Sequence, residues 1–283
     1  MTILPILALL LNSAAAQVSC IGNLRPVGTR THTYIDAARA NRPVNVLLRY
    51  PAQGAGGVDA PALACFSPIV SFGHGFLIPN TSYDYLARGF ANFGFVVVLP
   101  GTESGLAPNH EAFALDLIFA VKAIQNDPFF VGAVSDLRAY GGHSMGGGAA
   151  ILAAARDRNS SALFVLAPAE TNPSAIAAAA KVRGTAFFEV ASRDCVTPRA
   201  TTAQPMFDAI NVPQDRKNIE ELDGGSHCQF AAENFACRLA EQSCGGQPTM
   251  SELVQQSETH ADIVEFLVSN AFAGDSTFFD DFE

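Results

Sequence analysis

Leu137-Arg138-Ala139-Tyr140-Gly141-Gly142-His143-Ser144-Met145-Gly146-Gly147-Gly148-Ala149-Ala150 decides how this chain is read. Leu137 to Gly141 has the composition of a buried strand, and residues 145 to 156 form an Ala-rich helical stretch. Between them stands Gly142-His143-Ser144-Met145-Gly146, a G-x-S-x-G at a strand-to-helix turn. Small residues at 142 and 146 let strand and helix approach closely. The turn forces Ser144 into a strained backbone conformation with its hydroxyl exposed. The Met145 backbone N–H, at the helix start, can face a developing negative charge.

A hydroxyl is a poor nucleophile and needs a base within hydrogen-bond reach, with a carboxylate to orient that base. His227, in Asp223-Gly224-Gly225-Ser226-His227 just past a predicted strand, is the best base. Asp194, in Ser192-Arg193-Asp194-Cys195-Val196-Thr197-Pro198 after another, is the matching acid, with Asp223 as its rival. His74 and His143 flank the site and read as supporting residues, whereas His32 and His260 read as surface or packing histidines. The second amide for the oxyanion is expected at Phe76, in the Gly73-His74-Gly75-Phe76 loop.

Outward from the elbow, apolar β-rich runs alternate with amphipathic segments, which predicts an α/β fold with a mainly parallel sheet flanked by helices. Strands are expected over Val44 to Tyr50, Pro68 to Phe72, Phe95 to Leu99, Ala162 to Ala167, Thr185 to Ala191 and Lys217 to Leu222, with a turn at Gly54 to Gly57. Helices are expected over Tyr83 to Asn92, 110 to 126, 200 to 210 and 251 to 271. In the second, Phe113, Leu117, Val121 and Ile124 fall on one face. About 17 residues separate the strand ending near Ala167 from the one starting near Thr185, too few for a large lid.

The 283 residues carry 17 basic and 27 acidic side chains, a formal charge of −10 that disfavours nucleic acid as a partner. The apolar run Ile3 to Leu11, followed by small residues up to Ala16, reads as a signal peptide spanning 1–16 and predicts secretion; no internal membrane span is indicated. Residues 17–273 read as one catalytic domain and 274–283 as an acidic tail. Six cysteines fit disulfides in an exported protein, with 15 pairings open. Cys195 adjoins Asp194 and Cys228 adjoins His227, so a Cys195–Cys228 bridge is expected. Cys237–Cys244 is then expected as a local pair and Cys20–Cys65 by elimination. No CxxC or HExxH spacing points to a metal.

Ser71-Phe72-Gly73-His74-Gly75-Phe76, Tyr83 to Leu86 and Asn92-Phe93-Gly94-Phe95-Val96-Val97-Val98 resemble the pattern of plant chlorophyllases and platelet-activating-factor acetylhydrolases. The elbow Gly142 to Gly148, with the segments Ala191 to Pro198 and Glu221 to His227, is similar to cutinase-like polyester hydrolases. The resemblance runs over about Val44 to Val268, within the α/β-hydrolase superfamily. It implies carboxylic-ester hydrolysis through an acyl-enzyme, without a cofactor, in an open cleft; a monomer is expected. It carries the triad onto Ser144, Asp194 and His227 and the oxyanion amides onto Phe76 and Met145. Phe76, Met145 and Ala169 are then the substrate-contact positions. At Ala169 the chain departs from the polyester hydrolases, which usually carry a Trp after the corresponding Pro168. A peptidase or acyltransferase would use the same triad, and a non-catalytic binding module is the reading from outside enzymes.

Overall fold

A computed structural model describes residues 19–272 apart from 23 and 233; the expected leader, 1–16, and tail, 274–283, lie outside the described residues. The architecture is a nine-stranded sheet in the order β3-β1-β2-β5-β4-β6-β7-β8-β9. Its strands are β1 (Val27–Asp36), β2 (Arg42–Pro51), β3 (Gly57–Val58), β4 (Ser67–Gly73), β5 (Val96–Pro100), β6 (Val134–His143), β7 (Ala162–Leu166), β8 (Thr185–Ala191) and β9 (Lys217–Leu222). From β5 to β9 every pairing is parallel, while β2 runs antiparallel to both β1 and β5. Continuous apolar runs such as Val96–Pro100 suit this arrangement because parallel strands are covered on both faces.

The helices are α1 (Asp84–Asn92), α2 (His110–Asn126), α3 (Met145–Arg156), α4 (Ala175–Ala179), α5 (Ala203–Ala209), α6 (Phe235–Ser243) and α7 (Glu252–Glu265). On one face of the sheet, Phe113, Leu117, Val121 and Ile124 of α2 pack with Ile151 and Leu152 of α3 against Leu48, Val98 and Tyr140. On the other face, Leu86 and Phe90 of α1 and Ile263 of α7 cover Phe72, Phe95 and Phe164. Burying each large side chain contributes roughly 1.5–3 kcal/mol, so the two layers set the helix placement. Only the short α4 lies between β7 and β8, so no lid is inserted there.

Four elements differ from expectation, one of them α6, where no helix was expected. β1 is a full strand, but its sequence, VGTRTHTYID, carries no apolar alternation because one of its neighbours is only the two-residue β3. The turn expected at Gly54 to Gly57 reaches into that short strand. The closing helix leaves α-geometry after Glu265 and continues as a π-helix over Phe266–Ala271.

The disulfides are Cys20–Cys65, Cys195–Cys244 and Cys228–Cys237, which corrects the expected Cys195–Cys228 and Cys237–Cys244 pairs. The physical reason is α6. Cys237 lies in its first turn and Cys244 one residue past its end. Seven residues of helix separate their Cα atoms by about 10 Å, beyond the reach of a disulfide. The helix instead takes one cysteine from each neighbouring loop.

Glu189 of β8 is fully buried beside α7, and neither of its carboxyl oxygens has a hydrogen-bond partner among the described residues. Burial, with Asp262 and Glu220 nearby, raises its carboxyl well above the ordinary range. Folding therefore takes up a proton once the pH is above the range in which the unfolded carboxyl titrates. The unfolded chain releases that proton from about pH 4.3, so stability falls as pH rises from there towards the folded value, by up to about 1.4 kcal/mol per unit. Glu189→Gln removes the titration. Its melting temperature is expected to exceed that of the wild type by a margin that widens as pH rises above about 4.3; parallel melting curves would contradict the raised carboxyl.

Candidate active site

The parallel strands end at one edge, and the loops beyond five of the six carry the residues expected at the site: Phe76 after β4, Ser144 and Met145 after β6, Ala169 after β7, Asp194 after β8 and His227 after β9. Open parallel sheets place ligands outside the carboxyl ends of their strands.

The elbow has the predicted backbone. Ser144 sits at φ 55°, ψ −121°, in the left-handed region that L-residues avoid, immediately before α3. Neighbouring structure holds it there. The Ser144 N–H donates to the Leu166 carbonyl at 3.0 Å, and its carbonyl accepts from Gly148 at 3.1 Å and Ala169 at 2.9 Å. The glycines are needed for the close approach. A Cβ on Gly142 would lie 2.2 Å from the Gly146 carbonyl oxygen, and one on Gly146 would lie 2.1 Å from that of Gly73. The same contact brings the 73–76 loop against the start of α3.

The N–H groups of Phe76 and Met145 have no hydrogen-bond partner among the described residues. The Met145 side chain is buried and Phe76 is 44% exposed, so Phe76 lies at the rim rather than on the floor of the cleft. Ala169 is half-buried.

Asp194 and His227 are brought together. His227 Nδ1 donates to Asp194 Oδ2 at 2.8 Å, and both side chains are 2% exposed. The other carboxylate oxygen, Oδ1, accepts from the backbone N–H groups of Val196 and Thr197, each at 2.8 Å. Burial alone would raise the Asp194 carboxyl. Hydrogen bonding and charge from His227, together with hydrogen bonds from Thr197, outweigh burial and hold it below the ordinary range. It is ionised wherever a histidine titrates. Asp223, the rival acid, accepts instead from Ser192 Oγ at 3.3 Å. The Ser144 hydroxyl makes no hydrogen bond among the described residues; such links are often long before substrate binds.

His143, next to Ser144, is fully buried with its ring centroid 4.6 Å from that of His227. The Gly75 N–H donates to Tyr83 Oη at 3.0 Å, so the Tyr83 hydroxyl gives its own proton to His143 Nδ1 at 2.8 Å. Burial, reinforced by His227, lowers His143 well below the ordinary histidine range, so it is neutral. This chain ties the Phe76 loop to His143 beside Ser144, and the His143 ring packs on that of His227. His74 is also buried; burial lowers its basicity, and its Nε2 lies 2.8 Å from the Thr102 carbonyl. His32 packs edge-on to Tyr34 and His260 stacks on Phe90, both away from the site.

Sequence reasoning missed three contacts. Thr197 Oγ1 lies 2.8 Å from Asp194 Oδ2 and 3.0 Å from His227 Nδ1, and it bonds the Ala167 carbonyl. Tyr83 stood in a quoted motif but had no assigned partner. Glu241 carried no signal, because the helix that bears it was not predicted.

A family model described as PETase, PET hydrolase-like, matches residues 29–244. Among solved structures, the ferulic acid esterase from Streptomyces cinnamoneus is similar with a TM-score of 0.69 and 18% identity, covering 92% of this chain and 94% of that one. At that identity the likeness bears on fold alone, and the fold is that of an α/β-hydrolase. A search of curated protein sequences finds no match. With the model spanning most of the chain, the protein belongs to the PET hydrolase-like family and is a carboxylic-ester hydrolase of the α/β-hydrolase fold.

Proposed function

We propose that the protein is an exported serine esterase in which Ser144, His227 and Asp194 form the catalytic triad. The observation that carries this reading is the Asp194–His227 pair, bonded at 2.8 Å and set beside an elbow that holds Ser144 at φ 55°. Ser144 Oγ attacks the ester carbonyl carbon while His227 Nε2 takes its proton. Asp194 keeps the other imidazole proton on Nδ1 and stabilises the imidazolium. The negative charge on the former carbonyl oxygen is met by the free N–H groups of Phe76 and Met145. As the carbon–oxygen bond to the alcohol breaks, His227 returns the proton to the leaving oxygen, and Ser144 is left acylated. Water attacks the acyl-enzyme with His227 again as base, releasing the acid and the free serine. Three bonded cysteine pairs support export to an oxidising compartment.

The substrate reading follows from the rim. Phe76, Leu77 and Val196 present exposed apolar surface on the loops beside Ser144 and Asp194, which suits acyl chains or polyester segments. Ala169 offers no aromatic ring. Aliphatic esters and aliphatic polyesters are therefore the proposed substrates. A series of p-nitrophenyl esters from acetate to palmitate, run beside aliphatic and aromatic polyester films, tests this. Turnover of the short esters with faster erosion of the aliphatic film is expected. Activity confined to amides, or an aromatic film eroded as fast as the aliphatic one, would contradict it.

A further inference from the structure

Several observations converge on α6. Glu241 is 3% exposed on a helix whose neighbouring residues Ala240, Gln242 and Ser243 face solvent. One of its carboxylate oxygens accepts the His227 backbone N–H at 2.5 Å, and the other faces the Cys228 N–H at 3.4 Å. The helix is bonded covalently on both sides of the Asp194–His227 pair. Cys237 joins Cys228, next to His227, and Cys244 joins Cys195, next to Asp194. The Gly246 N–H also donates to the Glu241 carbonyl at 3.0 Å, and a Cβ on Gly246 would meet Glu241 Cγ at 2.6 Å and Cys195 Sγ at 2.8 Å, so the helix end is seated without free space.

A buried carboxyl is an expensive way to hold a helix in place, because apolar contact would do so without desolvating a polar group. Its placement is explained by what it touches. The ring of His227 is oriented by Asp194, and its backbone opens the turn Cys228–Phe230. Gln255 holds Ser226 before it, and Gln256 and Tyr85 hold the Gln229 and Phe230 carbonyls after it, while the His227 and Cys228 N–H groups are turned to Glu241. Glu241 therefore sets the base of the turn at His227 itself, and rate depends steeply on such placement.

We propose that Glu241 is a positioning residue: its carboxylate fixes the backbone of His227, and the two disulfides hold α6 where that contact can form. The proposal rests on the triad reading above. Its test uses the full enzyme, with kcat for p-nitrophenyl butyrate expressed per active site titrated by an organophosphate. In Glu241→Gln, which keeps the size but loses one acceptor, kcat per titrated site is expected to fall about tenfold. KM is expected to stay within about twofold, since substrate contacts are untouched. The Cys195→Ser, Cys244→Ser pair, which frees one end of α6, is expected to lower kcat per site as well. Combined with Glu241→Gln it should add less than its own separate effect, because both act through one contact.

If kcat per titrated site is unchanged in Glu241→Gln, with any lost activity matched by lost sites, Glu241 is merely structural and the proposal is overturned. Should Glu241→Gln fail to fold, an unchanged kcat per site in the cysteine pair overturns it equally. Activity surviving in Ser144→Ala overturns the triad reading itself, and the proposal with it.

Discussion

Ser144→Ala is expected to lower kcat for p-nitrophenyl butyrate by at least about 10⁴-fold, since loss of the nucleophile leaves only binding and oxyanion contacts to accelerate the reaction. The fold should not register the change. The Ser144 hydroxyl makes no hydrogen bond among the described residues, and alanine at φ 55° carries the same Cβ strain that serine does. The melting temperature is therefore expected to match the wild type. A variant that folds as well as the parent and retains more than about a hundredth of its activity would sink the assignment, because no triad serine leaves that much.

Asp194→Asn is expected to cost about 10⁴-fold in kcat, for a reason legible in the hydrogen bonds. Oδ1 of Asp194 accepts from two backbone N–H groups, Val196 and Thr197, neither of which can turn away. The amide oxygen of an asparagine must take that position. Its NH₂ then points at His227 Nδ1, in place of the Oδ2 atom that accepts from it at 2.8 Å. His227 is forced to accept at Nδ1 and to carry its proton on Nε2, the nitrogen that must be empty to receive the proton of Ser144. The loss should therefore appear in kcat, with KM little changed and the melting temperature lowered only modestly. Equal activity in Asp194→Asn and wild type would show that another carboxylate orients the base.

Where a residue's role depends on its local chain, the sequence was readable. G-x-S-x-G after an apolar strand forecast both the strained serine and the glycines that backbone neighbours would otherwise strike. The α3, β8 and β9 boundaries followed from composition, and α2 from the spacing of Phe113, Leu117, Val121 and Ile124. Phe76, Ser144, Ala169, Asp194 and His227 reached one edge because parallel strands deliver their following loops to the same side.

Legibility ended where a contact depends on chains far apart in sequence. α6 has Phe235 and Leu239 on its exposed side, so its pattern does not mark a buried face. With the helix unseen, the cysteines looked like neighbours in a loop, and both pairings next to the site were misassigned. Glu241 went unnoticed for the same reason. β1 shows a different limit: Thr29, Arg30, Thr31, His32 and Thr33 suit an edge whose outer partner is two residues long, and periodicity has nothing to detect there.

That Ser144 is the nucleophile can be read from peptide mapping by mass spectrometry after inactivation with p-nitrophenyl diethyl phosphate. A single diethylphosphoryl group is expected on the peptide that contains Gly142-His143-Ser144-Met145-Gly146, localised to Ser144, in proportion to the activity lost. Inactivation with the adduct on any other residue, or full activity with Ser144 modified, would contradict it.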